Sequence, residues 1–344
     1  SRGIEKACQR DINYMYLLEG RSAPDHATIA RFRSIHFAQV ADKYLALTVN
    51  YLMELGEISG REIFIDGTKI EANANKYTFI WKKAVTKNQA KLLDKTALLV
   101  QECVETYGLR EIWRGQVKEK HLGKLLKRLY KIKDEEGAEF VHGSGCRKTQ
   151  LQKHIELLEE YTERLKEYSQ KLEVLGDRNS YSKTDPDATF MRMKEDAMLN
   201  GQLKPAYNLQ LGVDSGYISW LSLSPKPNDM GTLIPFLTGM EATLRHKYPV
   251  VVADAGYESE ENYSFLEDRG ITAMIKPSNY EISKTKKYKT DISRKENMPY
   301  DPDGDFYTCM NGCQLHALRV DKRKTFSGYV REETIYHCEN CLGC

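Results

Sequence analysis

The chain has 344 residues, a formal net charge of +2, 41% hydrophobic residues and 29% charged residues. This length favours two or three domains, and the hydrophobic content is sufficient for a packed core. No apolar run approaches the roughly 18 residues that a membrane span requires, and the N-terminus has no signal-peptide pattern. We therefore expect a cytoplasmic protein without a membrane partner.

Both ends of the sequence predict a longer parent protein. The first residues, Ser1-Arg2-Gly3, are not a natural start, and the chain stops at Cys344 in the middle of a cysteine cluster. We expect further residues on both sides.

Residues 1–58 are predicted to form a helical domain. Pro24, Asp25 and Thr28 mark a helix start, and Arg31 and Arg33 follow within the next turn. Basic residues in a short helix are typical of a DNA-binding helix, although a surface helix of any function has a similar pattern.

The next segments predict a strand and then a long helical insertion. The apolar run Ile63–Ile65 is followed by Asp66-Gly67, which indicates a strand covered on both faces with a carboxylate at its exit. Residues 84–176 carry amphipathic stripes with heptad spacing, which predict an antiparallel helical hairpin or a small bundle. Cys103 lies on one stripe and is expected to be a buried small hydrophobe.

After residue 177 the pattern alternates between strands and helices. Asp214-Ser215-Gly216 indicates a hairpin between two strands. The later elements are predicted to be a helix at 230–244, a strand at 250–253 ending on Asp254, a helix at 260–268 and a strand at 271–275. This order predicts an α/β (α+β) fold with an RNase H-like mixed sheet, in which the first and fourth strands are neighbours.

The predicted sheet brings Asp66 and Asp254 together. Two divalent cations held by carboxylates can activate a nucleophile and stabilise a leaving oxygen in phosphodiester cleavage. An Asp-Gly pair after a strand is also a common turn, so either aspartate alone could be only that.

The motifs at these residues resemble the DDE transposases of bacterial insertion sequences, in the branch whose second acid lies in an Ala-Asp-x-Gly-Tyr motif. Here that motif is Ala253–Tyr257, and the first-acid motif is Phe64–Lys69. The similarity extends to Asp25–Arg33, Thr184–Ala188 and Tyr207–Gln210.

The resemblance implies a transposase that cleaves and joins double-stranded DNA at the ends of its element, with Asp66 and Asp254 as catalytic ligands of Mg²⁺ or Mn²⁺. It also implies an active homodimer associated with the nucleoid. Asp185 and Asp187 are interpreted as a turn or helix start. The third acid of the family is a Glu; the segment Tyr329–Glu333 has the wrong spacing for it. We therefore expect this Glu beyond Cys344 and expect these 344 residues to be catalytically incomplete.

DNA contacts are predicted for seven basic residues. Phosphate binding depends on local clusters of Lys and Arg, and six such residues lie between positions 284 and 295 against the single acid Asp291. A solvated basic loop is the alternative. The predicted DNA-binding residues are Arg31, Arg33, Lys69, Lys284, Lys286, Lys287 and Lys289.

The C-terminal part is predicted to bind zinc. Five of the eight cysteines lie between Cys309 and Cys344, at spacings that suit tetrahedral Zn²⁺ coordination. The simplest ligand set is Cys309, Cys313, Cys338 and Cys341. Disulfides are the alternative, but the absence of a secretory signal favours reduced thiols.

The predicted domains are therefore a helical domain (1–58), a catalytic core (59–83 and 177–278), a helical insertion (84–176) and a basic, cysteine-rich insertion (279–344). The alternative function is a non-catalytic or decayed DNA-binding protein with a zinc-stabilised insertion. A nuclease without strand transfer is a further possibility.

Overall fold

The computed structural model describes residues 1–109, 119–141, 148–193, 201–325 and 327–338. Contacts divide the chain into two compact units. The first unit contains residues 1–68, 209–223 and 228–344, and the second contains residues 69–208 and 224–227. Within the described ranges, no helix is both long and apolar enough to cross a membrane.

The N-terminal segment is helical, as the sequence predicts. Asp25 caps the third helix by accepting a hydrogen bond from the backbone N–H of Ala27 (2.9 Å). Phe32–His36 and Phe37–Gln39 continue the chain as a π-helical and a 3₁₀ turn. The helices are α1 (Arg2–Arg10), α2 (Ile12–Leu17), α3 (His26–Arg31) and α4 (Ala41–Glu54).

The α/β fold contains a mixed sheet, with both parallel and antiparallel strand pairs. Its strand order is β4-β5-β1-β7-β8, with β6 paired to β5. Its strands are β1 (Glu62–Glu71), β4 (Thr189–Arg192), β5 (Leu203–Asp214), β6 (Tyr217–Ser224), β7 (Val250–Ala253) and β8 (Thr272–Ile275). The first strand of the predicted core pairs with the fourth, β7, in parallel, which confirms the predicted adjacency. This architecture is consistent with an RNase H-like fold.

Two expectations about strand β1 are wrong. It does not end at Asp66 but continues to Glu71, because β5 still accompanies it after β7 has ended; the N–H of Ala72 donates to the carbonyl of Pro205 (2.8 Å). It is also covered on one face only, since Ile63 and Ile65 are buried whereas Phe64 between them is 48% exposed.

The core of the first unit lies between the sheet and its helices. Helix α8 (Leu233–Leu244) begins three residues later than predicted, and α9 (Glu260–Asp268) has the predicted bounds. Their apolar faces pack with β1 and β7. The buried residues of this core include Ile63, Ile65, Leu233, Phe236, Leu237, Met240, Val251 and Leu266.

The second unit contains three long helices with their own core. They are α5 (Lys82–Thr106), α6 (Glu119–Glu136) and α7 (Gln150–Leu175). Leu122, Leu125 and Leu158 are completely buried, as is Cys103, which confirms the expectation for that thiol. Two short strands, β2 (Phe79–Trp81) and β3 (Ser180–Ser182), pair at the base of these helices.

The C-terminal part forms a separate four-stranded sheet in the order β12-β11-β10-β9. Two short helices, α10 (Tyr280–Ser283) and α11 (Lys286–Lys289), precede it. The strands are β9 (Tyr300–Asp301), β10 (Phe306–Thr308), β11 (Gln314–Lys324) and β12 (Val330–Cys338). Arg331 of β12 lies 3.0 Å from Glu260 of α9, which connects this sheet to the first helix after β7.

Asp214 fixes the end of β5 to the entrance of β1. Its carboxylate accepts hydrogen bonds from the Ser59 hydroxyl (2.8 Å), the Gly60 N–H (2.7 Å) and the Ser215 hydroxyl (2.8 Å). Burial opposes ionisation, but these hydrogen bonds outweigh it and hold the pKa of Asp214 below its ordinary value.

The substitution Asp214→Asn should destabilise the fold by roughly 2 kcal/mol at pH 7, because a charged acceptor is replaced by a side chain that mismatches one donor. A depressed pKa stabilises the folded state above the unfolded pKa, so the difference from wild type should shrink as pH falls below 3.8. Urea unfolding across pH measures it, with the exposed Asp94→Asn as the control. A difference independent of pH would contradict this explanation.

Candidate metal-dependent active site

The two predicted catalytic aspartates lie on neighbouring parallel strands. The register of β1 and β7 pairs Ile65 with Ala253, so Asp66 and Asp254 occupy the next position on each strand. Strand β7 ends there, and Asp254 caps the 3₁₀ turn Ala255–Tyr257, whereas β1 continues. The sheet thus brings together two carboxylates that are far apart in the sequence.

Both aspartates are exposed and use one oxygen to hold the local backbone. Asp66 Oδ1 accepts from the Gly67 N–H (2.8 Å), and Asp254 Oδ1 accepts from the Gly256 N–H (2.9 Å). These contacts restrain the carboxylates while leaving them accessible from solvent. Such an arrangement suits ligands of a hard divalent cation.

A third carboxylate, Asp229, lies beside the same two glycines. A Cβ atom added at Gly67 would be 2.4 Å from Asp229 Oδ1, and one added at Gly256 would be 3.4 Å from Asp229 Oδ2. A side chain at Gly67 would therefore displace this carboxylate and the neighbouring Gln210 amide. The Asp229 carboxylate therefore reaches toward the backbone beside both Asp66 and Asp254.

Beneath the carboxylates lies a buried hydrogen-bond network centred on Gln210. The Gln210 Nε2 donates to Asp229 Oδ1 (3.0 Å), while Gln210 Oε1 accepts from the hydroxyls of Thr232 (2.9 Å) and Tyr257. Burial, followed by the negative charges of Asp229, Asp66 and Asp254, raises the pKa of Tyr257 well above its ordinary value. Its hydroxyl therefore remains protonated and acts as a donor.

The residues present fit a divalent cation. The donors are carboxylate oxygens, the type that Mg²⁺ and Mn²⁺ prefer, and Gly67 and Gly256 keep Cβ atoms out of the space beside them. Within the described ranges, three ligand atoms approach within 4.8 Å of one another only at Glu5, Asp25 and His26. The three aspartates are therefore more widely spaced than the ligands of a single tight ion.

The predicted DNA-binding residues are distributed over several elements. Arg31 ends α3 and Arg33 lies in the following π-helical turn, and both are exposed. Lys69 donates to the backbone carbonyl of Arg192 (2.9 Å). Lys284, Lys286, Lys287 and Lys289 are exposed in and before α11.

The aromatic residues interleaved with these lysines have different environments. Tyr280 is 45% exposed, and the Lys284 ammonium lies 3.8 Å from the centre of its ring. Tyr288, in contrast, is buried and accepts a hydrogen bond from Asn279 (3.0 Å), with Arg294 stacked 4.1 Å from its ring centre. Tyr288 is therefore a structural residue of this segment.

Three of the four predicted zinc ligands lie at the same end of the C-terminal sheet, but their sulfur atoms are not all within 4.8 Å of one another. Cys309 and Cys313 enclose the turn between β10 and β11, where the Cys309 N–H donates to the Cys313 carbonyl (2.9 Å). Cys338 is paired in register with Leu315, two residues after Cys313. Within the described residues, no cysteine forms a disulfide. The fourth predicted ligand, Cys341, lies outside the described residues.

Acidic residues excluded by the sequence patterns have structural partners. The Asp185 carboxylate accepts from the Tyr207 hydroxyl (2.9 Å), whereas at Asp187 the bond from Arg178 (2.9 Å) goes to the backbone carbonyl. In β12, Glu332 pairs with Lys322 (2.6 Å), while Glu333 lies near Arg331 (3.2 Å).

Asp229 and the role of Gln210 are not apparent from the sequence. Asp229 follows Pro227-Asn228 and precedes α8, a context typical of a turn or a helix start. The signal that could identify it is its position after β6, in the connection that leads back across the sheet. Gln210 lies in the motif Tyr207–Gln210, but the alternation of polar and apolar residues along β5 indicates only that one face of the strand is buried.

Residues 178–326 match the sequence profile of the family described as Transposase DDE domain. No curated protein and no solved structure matches the chain. The matched segment includes β5 to β8 and contains Gln210, Asp229 and Asp254, whereas Asp66 precedes it. Together with the mixed α/β fold, the match supports a transposase of the DDE class, a class of DNA-cleaving and transesterifying enzymes.

Proposed function

We propose that this chain supplies two of the catalytic carboxylates, Asp66 and Asp254, for DNA strand cleavage and strand transfer at the ends of its own insertion sequence. The observation that supports this function best is the pairing of β1 with β7, which brings Asp66 and Asp254 to adjacent positions. The match to a transposase DDE domain over residues 178–326 supports the same reaction class. The specific relationship to the Ala-Asp-x-Gly-Tyr branch belongs to this proposal.

Asp66 and Asp254 would hold Mg²⁺ or Mn²⁺ in a two-metal site. When bound, such ions lower the pKa of a nucleophilic water or hydroxyl and stabilise the charge on the leaving oxygen. The protein contributes fixed carboxylates, because each is restrained by the N–H of a nearby glycine. Tyr257 lies beneath the site with its hydroxyl bonded to Gln210, so it supports the floor of the site and does not transfer a proton to DNA.

Double-stranded DNA is the proposed substrate, and the basic segment is positioned to contribute to its binding. The Lys276 N–H donates to the Ala253 carbonyl (3.2 Å), next to Asp254, and the Ser278 N–H donates to Glu258 (2.5 Å). The chain from 276 onward therefore leaves the same edge of the sheet that carries Asp254. Exposed lysines at this edge would attract phosphates toward the carboxylates.

An element has two ends, so we propose that two copies of the chain act together on the nucleoid. We also propose that Cys309, Cys313, Cys338 and Cys341 bind Zn²⁺. The first three lie at one end of a small sheet that has many exposed residues and little apolar core of its own, and none of them forms a disulfide. A structural zinc ion would supply stability that the apolar packing does not.

Replacing either catalytic aspartate should severely impair cleavage. The test is nicking and joining, by the full-length protein, of DNA that carries the flanks of its own gene, in Mg²⁺ and Mn²⁺. Asp66→Asn and Asp254→Asn should each reduce the rate about 10²- to 10³-fold, because several kcal/mol of transition-state stabilisation is lost. The exposed Asp268→Asn is the matched control.

Cleavage retained in both variants would contradict the proposal. Cleavage without joined products would indicate a nuclease that lacks strand transfer. DNA binding without cleavage by the wild-type protein would favour the non-catalytic alternative.

Removing the basic cluster should weaken DNA binding and its dependence on salt. In the triple variant Lys286→Gln, Lys287→Gln and Lys289→Gln, the slope of log K against log salt should decrease by about 0.9 for each lost phosphate contact. Fluorescence anisotropy at several salt concentrations measures this slope. The control removes three exposed lysines of α5: Lys87, Lys91 and Lys95. Equal slopes in the two triple variants would show that the basic segment is a solvated loop that does not contact DNA.

Zinc binding should depend on the clustered thiols. Purified protein should contain one equivalent of zinc by elemental mass spectrometry, and Cys313→Ser should lose it because a tetrahedral site needs four ligands. Cys8→Ser, which removes a buried thiol of α1, should retain the metal. A zinc-free wild-type protein purified under reducing, chelator-free conditions would refute the site.

A further inference from the structure

Asp229 lies between the two aspartates of the proposed active site without belonging to either strand. It is in the connection between β6 and α8, and its two oxygens face different glycines. Oδ1 lies 2.4 Å from the ideal Cβ position of Gly67, and Oδ2 lies 3.4 Å from that of Gly256. Gly67 follows Asp66 directly, and Gly256 is the residue whose N–H holds Asp254.

The orientation of the Gln210 amide is determined by its partners. A carboxylate oxygen only accepts hydrogen bonds, so the Gln210 atom that lies 3.0 Å from Asp229 Oδ1 must be the amide nitrogen Nε2. The opposite atom is therefore the carbonyl oxygen Oε1, which accepts from the hydroxyls of Thr232 and Tyr257. Gln210 is completely buried and Thr232 almost so, which prevents water from replacing these contacts.

This network holds Asp229 where electrostatics alone would oppose it. Like charges that lie close together repel one another, and a neutral amide donor such as Gln210 does not neutralise a carboxylate. A divalent cation would convert the repulsion into attraction. The buried Gln210, the close approach of Asp229 to Gly67 and the exposed carboxylates of Asp66 and Asp254 are all consistent with a bound cation.

We propose that Asp229 supplies a third carboxylate to the cation site of Asp66 and Asp254, and that Gln210 is the positioning residue that presents it. This inference rests on the proposed function. It assigns to this chain an oxygen ligand additional to the Glu that the family resemblance implies. The wide spacing of the three aspartates suits ligands distributed over two ions rather than one.

The test measures cation affinity rather than DNA cleavage. Mn²⁺ is titrated into the wild-type protein, and the signal of free Mn²⁺ is followed by electron paramagnetic resonance. Asp229→Asn should weaken Mn²⁺ binding at least tenfold, as Asp66→Asn and Asp254→Asn should. Asp268→Asn, on the surface of α9, should not change it. Asn at 229 can still accept from Gln210, and thermal unfolding checks that each variant is folded.

Gln210→Met tests the positioning role, because it removes the donor while keeping the length of the side chain. It should weaken Mn²⁺ binding less than Asp229→Asn does, and the double variant should bind no more weakly than Asp229→Asn alone. Additive losses in folded proteins would show that Gln210 does not act through Asp229.

The outcomes separate this inference from the proposed function. Mn²⁺ affinity that falls in Asp66→Asn and Asp254→Asn but is unchanged in folded Asp229→Asn would overturn the role of Asp229 alone. Affinity that none of the three substitutions changes would overturn the proposed metal site itself.

Discussion

The parallel pairing of β1 with β7 is the constraint on which the proposed site depends. The register aligns Ile65 with Ala253, and the residue that follows each of them is an aspartate. A shift of one residue would turn one aspartate toward the opposite face of the sheet, because side chains alternate along a strand. The register is held by burial: Ile63, Ile65 and Val251 pack into the core of the first unit. The apolar core therefore fixes the relative positions of the two carboxylates.

The same sheet also explains why the site needs support from below. Carboxylates gathered at one edge repel one another, so each must be held by a specific contact. Backbone N–H groups hold Asp66 and Asp254, and Gln210 holds Asp229. Tyr257 contributes by donating its hydroxyl to Gln210, and burial raises the pKa of this hydroxyl, so that it stays protonated in alkaline solution as well. The buried hydrogen bonds of Gln210 thus fix the position of a carboxylate at the surface relative to the core.

Much of this arrangement could be predicted from the sequence, because it depends on apolar runs and on motif order. The runs ending at Ile65 and Ala253 predicted two adjacent strands, and the pairing confirms them. The end of β1 was predicted wrongly, because Asp-Gly is typical of turns and the continued pairing with β5 is a long-range effect. Asp229 was missed for a related reason. Its local sequence predicts a turn, and only the folded chain shows how close it lies to Gly67.

The positions of the charged residues affect how the protein would bind DNA. The net charge is only +2, so the chain as a whole exerts little long-range attraction on a polyanion. The three aspartates would repel phosphates at the place where cleavage is proposed. Two sources of positive charge can offset this repulsion. They are cations held by the carboxylates and the exposed lysines of the segment that begins beside Ala253. The cations act at contact distance, whereas the lysines act over about a Debye length, roughly 8–10 Å. On this argument, metal binding and DNA binding should be coupled, since each removes negative charge that opposes the other.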